Sequence, residues 1–141
     1  MKAQIGIDVS KLKLDVTWLR DPAALKVKSR VFKNRQDGFG ELIDWLKAQT
    51  GLPVESIQVM MEATGVYHEA LAYVLYEAGF EVFVVNPYHV SEYRNSLGRR
   101  SKTDKKDSIV LARFLHNEAH HQVWRPEPPE VRYLKALLAR L

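Results

Sequence analysis

Ile5-Gly6-Ile7-Asp8-Val9-Ser10-Lys11 alternates apolar and small residues up to Asp8, the period-2 pattern of a buried strand that delivers one carboxylate near its C-terminal end. A carboxylate set among Ile and Val side chains costs several kcal/mol unless a cation or a metal ion pairs with it. Asp8 therefore needs a partner. Taken alone, an aspartate that ends a strand reads more simply as a turn or cap residue, and only the rest of the chain alters that balance.

Working outward, residues 13–19 alternate again, with Leu14, Val16 and Trp18 on one face and Asp15 and Thr17 on the other. The short turn between the two runs predicts an antiparallel hairpin. Nothing in the pattern pairs Asp15 with another acidic residue. Residues 26–32 suit a third strand, and residues 26–35 carry five basic side chains and no acidic one. Phe39, Leu42, Ile43 and Leu46 recur at helical spacing until Gly51-Leu52-Pro53 stops the helix. Residues 56–61 form a short apolar strand running into Glu62-Ala63-Thr64-Gly65. A helix over residues 66–78 follows with Gly79 as its stop, and then a strand over residues 80–85 closed by Asn86-Pro87. Strand, helix, strand implies parallel pairing through right-handed crossovers. A three-strand meander followed by two such units predicts a mixed five-stranded α/β sheet flanked by helices, in the ribonuclease H-like order.

Residues 88–97 suit a short helix, 98–102 a basic loop, and 103–119 a helix that carries Ile109, Leu111, Ala112, Phe114 and Leu115. The expected organisation is a domain over residues 1–124, a stiff Pro-rich linker over 125–129, and the start of an amphipathic helix over 130–141. Val131, Leu134, Leu137, Leu138 and Leu141 make one apolar stripe on that helix, which predicts a homo-oligomer formed through it.

Composition bounds the class. The chain has 141 residues, 46% of them hydrophobic and 27% charged, enough for one ordinary core without disulfides or structural metal. With no cysteine, a thiolate metal site is excluded. No apolar run is long enough to span a bilayer and no signal-peptide pattern opens the chain, so a cytoplasmic protein is expected, with no membrane partner. The net charge of +4 is modest but unevenly spread.

Asp8 and Glu62 fall near the C-terminal ends of strands that the sheet order makes neighbours, the edge where ligands of open α/β sheets gather. Asp104 and Asp107 lie three residues apart at an expected helix start and would share one face of it. Each has a structural explanation, since acidic residues suit a first helical turn. Four carboxylates converging on one edge repel strongly unless divalent cations sit among them, and an oxygen-only set suits Mg²⁺ or Mn²⁺. Two such ions can activate an attacking oxygen and stabilise a leaving one in phosphodiester transfer. Arg94, Arg99, Arg100, Lys102, Lys105 and Lys106 flank that edge as candidate phosphate contacts. His120-His121 reads as an exposed helix end, and Tyr67 and His68 as surface positions.

Together Ile5 to Lys11, Met61-Glu62-Ala63-Thr64-Gly65, Asn86-Pro87 and Lys102-Thr103-Asp104-Lys105-Lys106-Asp107 resemble the N-terminal domain of the insertion-sequence DEDD transposases, relatives of the Piv DNA invertase. The resemblance runs from about residue 3 to about residue 120 and rests on the ordered set of motifs. It implies a RuvC-like fold, with Asp8, Glu62, Asp104 and Asp107 matching the family's four catalytic metal ligands. It also implies DNA as substrate, a structured guide RNA as partner, and a second domain carrying a nucleophilic serine. A chain that stops as the connecting helix begins is then expected to be inactive in full recombination. Two other readings stand beside this metal-dependent transposase or site-specific recombinase. One is a non-catalytic nucleic-acid-binding module of the same fold, which needs no metal. The other is a sugar-kinase or actin-like ATPase lobe, for which the length leaves no second lobe.

Overall fold

Strand β1 (Ala3–Val9) is central. β2 (Lys13–Asp21) pairs antiparallel on one side of it and β4 (Ile57–Glu62) parallel on the other, and the full order is β3-β2-β1-β4-β5, with β3 at Lys26–Lys33 and β5 at Glu81–Val85. The computed structural model describes residues 1–63, 65–97, 106–118 and 120–140. The mixed five-stranded sheet is the one the sequence pattern predicts.

Alternation sorts the side chains into two layers. Ile5, Ile7, Leu14, Val16, Val59 and Met61 point to one face, which α1 (Gln36–Thr50) and α2 (Glu69–Ala78) cover with Phe39, Leu42, Leu46, Leu71 and Leu75. Met60 and Phe83 point to the other face and meet α3 (Pro87–Ser96) and α4 (Asp107–Asn117) through Val90, Tyr93, Val110, Leu111 and Phe114. Each large side chain removed from water contributes roughly 1.5 to 3 kcal/mol before chain entropy is offset. Gly79 ends α2 with φ +103, a left-handed cap that an L side chain rarely adopts.

Gly6 fixes how α4 lies on the sheet. A Cβ at that position would stand 2.0 Å from the Ser108 carbonyl oxygen and 2.6 Å from the Ala112 nitrogen. The first turns of α4 therefore press directly on the β1 backbone, two residues before Asp8.

Two expectations change. Helix α2 begins at Glu69, because Val66 to His68 form a turn. Helix α4 begins at Asp107 and not at residue 103, because Lys106 is extended at φ −82, ψ 128. Asp104, expected on the same helix face as Asp107, lies outside the described residues. The segment after α4 packs on the sheet and on α2. The Trp124 N–H donates to the Val82 carbonyl at 2.7 Å, and its indole meets Tyr73 and Tyr76 edge-on at 5.1 and 5.9 Å. Helix α5 (Pro129–Ala139) then reaches back to α2, with the Arg132 guanidinium 5.2 Å from the Tyr73 ring centre, while Val131, Leu134, Leu137 and Leu138 stay exposed. Among the described residues no helix is long and apolar enough to cross a membrane.

Candidate active site

Side-chain alternation carries Asp8 and Glu62 to the same place. Both lie on the α4 face of the sheet, and Ile7 stands in register with Met61, so the two carboxylates follow at the ends of adjacent parallel strands. Asp107 enters from above as the first residue of α4. Asn34 ties the neighbouring loops together, its side-chain amide donating to the Ser10 carbonyl at 2.8 Å and the Tyr67 carbonyl at 3.0 Å.

Each strand-end carboxyl titrates above its ordinary range. For Asp8 the main cause is burial, followed by repulsion from Asp107 and Asp15, with Lys13 opposing. For Glu62 it is again burial, then Asp107 and Asp8, with Arg94 opposing. Both groups are half-buried, so solvent screens part of this repulsion. A carboxyl whose pKa is higher folded than unfolded binds protons more tightly when folded, so its ionisation opposes folding. Its stabilising protonation is lost as pH rises from the ordinary value, 3.8 for Asp8 and 4.5 for Glu62, through the raised one. Denaturant titrations in EDTA should therefore show Asp8→Asn gaining on wild type over the interval that opens at about pH 3.8 and runs up through the raised pKa. An Asn variant that loses ground over that interval contradicts the repulsion.

Arg94 ion-pairs with Asp107 and holds α3 to α4, so this candidate phosphate contact already has a carboxylate partner. Lys106 is exposed beside the site. Arg99, Arg100, Lys102 and Lys105 lie outside the described residues. Basic charge reaches the same edge from another direction, since Lys13 and Lys33 face each other across β2 and β3.

The sequence reading missed Asp15. Its Cα partner across the β1–β2 hairpin is Asp8, and it acts electrostatically on Asp8. The tight turn after Val9 was the available signal, because it fixes a register in which residues 8 and 15 meet. His121 is corrected as well. It is half-buried, with Nε2 3.0 Å from the Phe114 carbonyl and its ring edge-on to Phe114 and Phe83. Among the described residues no three acidic, histidine or cysteine side chains are gathered tightly enough to hold one ion. The donor chemistry still fits Mg²⁺ or Mn²⁺, because Asp8, Glu62 and Asp107 offer only hard oxygens and a divalent cation relieves their mutual repulsion.

A mixed sheet in this order, with carboxylates at the ends of adjacent central strands and on the helix laid across them, defines the ribonuclease H-like class. The structure is similar to that of T. thermophilus RuvC in complex with Holliday junction substrate, with a TM-score of 0.57, 13% identity, and coverage of 85% of this chain and 98% of that one. In sequence, residues 5–140 match the IS110-type DEDD family described as transposase. The chain belongs to that family. It is 36% identical over 137 residues to the pilin gene-inverting proteins of Moraxella bovis and of Moraxella lacunata, covering 97% of this chain and 41% of each of them. The chain thus spans about two fifths of the length of these relatives.

Proposed function

We propose that this chain is the metal-dependent catalytic domain of a DNA transposase or site-specific recombinase, which cleaves and transfers phosphodiester strands. The observation that carries this reading is the meeting of Asp8, Glu62 and Asp107 at one sheet edge, where burial and mutual repulsion hold two of them above their ordinary titration range. Asp8 and Glu62 would hold Mg²⁺ or Mn²⁺ from neighbouring strands and Asp107 from α4, with Asp104 completing the set the family resemblance implies. The bound ions would supply Lewis-acid stabilisation of charge on the attacking and leaving oxygens. Lys13 and Lys33, with Lys106 and the basic residues 99–105, neutralise the phosphate backbone, and Arg94 balances the Asp107 charge. In the whole protein a structured RNA guides target choice, and the exposed leucines of α5 join protomers. Cytoplasmic DNA, including the junctions formed during recombination, is the substrate.

Binding of a four-way DNA junction followed by fluorescence anisotropy tests this. Log affinity should fall linearly with log salt, and Lys13→Ala with Lys33→Ala should reduce the slope by about 0.9 for each phosphate contact removed. Salt-independent binding, or none, would contradict the reading. A binding module without catalysis predicts the same salt slope but no cleavage in Mg²⁺.

A further inference from the structure

Thr17 and Ser108 are the buried polar side chains among the described residues, and both are fully enclosed. Buried hydroxyls cost stability unless they are bonded, and these two are bonded to each other at 2.8 Å. Thr17 Oγ1 also lies 2.7 Å from Ser29 Oγ, and Ser108 Oγ donates to Asp15 Oδ1 at 3.5 Å. Each hydroxyl has one proton to give. Asp15 can only accept while it is ionised, so any proton in the Ser108–Asp15 contact comes from Ser108. Three hydroxyls from β3, β2 and α4 thus form a chain that runs to a carboxylate.

The placement of Ser108 gives this chain its consequence. A serine in a first helical turn ordinarily bonds its own helix backbone. Here it leaves α4 uncapped by any side chain at Lys106 and reaches into the sheet instead. Asp107 precedes Ser108 directly, and the Ser108 carbonyl bears on Gly6. The Ser108 hydroxyl therefore pins the start of α4 to β2 while Gly6 sets its height over β1. Between them they fix where Asp107 stands over Asp8. The same hydroxyl orients Asp15, the cross-strand partner of Asp8.

We propose that Ser108, backed by Thr17, is a positioning residue of the carboxylate centre, acting through Asp107 and Asp15 to set the site's affinity for a divalent ion. This rests on the metal reading above. Groups that orient metal ligands typically change metal affinity about 10- to 100-fold when removed. Mn²⁺ titration monitored by electron paramagnetic resonance should show Ser108→Ala and Thr17→Val weakened by about that factor, with Thr17→Ser, which keeps the hydroxyl, close to wild type. Leu115→Ala, a core truncation further along α4, should lower the melting temperature without moving Mn²⁺ affinity, which separates positioning from loss of stability. Unchanged affinity in Ser108→Ala and Thr17→Val, with wild type binding, would overturn this inference alone, as would an equal loss in Leu115→Ala. No Mn²⁺ binding by wild type would overturn the metal reading and this inference with it.

Discussion

Gly6→Ala will melt about 10 °C below wild type and lose the alignment of α4, although it adds one methyl group. Overpacking in a core typically costs about 1 to 3 kcal/mol, and this site lies at the upper end because the new Cβ meets backbone atoms and not a side chain that can swing aside. In a domain of this size each kcal/mol moves the melting temperature by about 2 to 4 °C. Gly40→Ala is the control. It lies within α1 with nothing inside 4 Å of the new Cβ, so it should gain about 0.5 to 1 kcal/mol from helix propensity. Scanning calorimetry of the two variants checks both signs, and a Gly6→Ala protein as stable as wild type would mean that α4 does not rest on β1.

Asp8→Asn and Glu62→Gln will separate stability from activity in opposite directions. In EDTA each should melt at or above wild type, because a repelling charge has gone from a half-buried cluster. In millimolar Mn²⁺ the order should reverse. Wild type gains about 2.7 kcal/mol when the ion is at a hundred times its Kd, and the variants gain little. In the full-length protein, cleavage of a DNA junction in Mg²⁺ should fall at least about a thousandfold with either substitution, since metal stabilisation of the transition state is worth several kcal/mol and each 1.4 kcal/mol is tenfold. Variants with wild-type cleavage would leave the carboxylates without a catalytic role.

The sheet was legible because β1, β2 and β4 bury one side-chain set against α1 and α2, so their period-2 pattern is nearly free of exceptions. Asp8 and Glu62 interrupt that pattern at strand ends and were legible for the same reason. The start of α4 was not, because apolar spacing continues to Ile109 whichever residue begins the helix, and the extended backbone of Lys106 leaves no mark in residue type. Asp15 was hidden by its own alternation. On the polar face of a strand a carboxylate looks solvated until the hairpin register sets it opposite Asp8. Ser108 carries no sequence signal, since its meaning lies in a contact 91 residues away with Thr17. The packing of Trp124 leaves no mark in the local sequence, because its partners, Val82, Tyr73 and Tyr76, belong to elements far back in the chain.

The edge formed by β1, β4 and the start of α4 is proposed above as a divalent-metal centre. Anomalous diffraction from a crystal of this chain soaked in Mn²⁺ tests it most directly. A manganese peak is expected within ligand distance of the Asp8 carboxylate and of Glu62 or Asp107, absent from Asp8→Asn crystals soaked in the same way. Manganese bound elsewhere on the molecule, with none at Asp8 in well-ordered wild-type crystals, would contradict it.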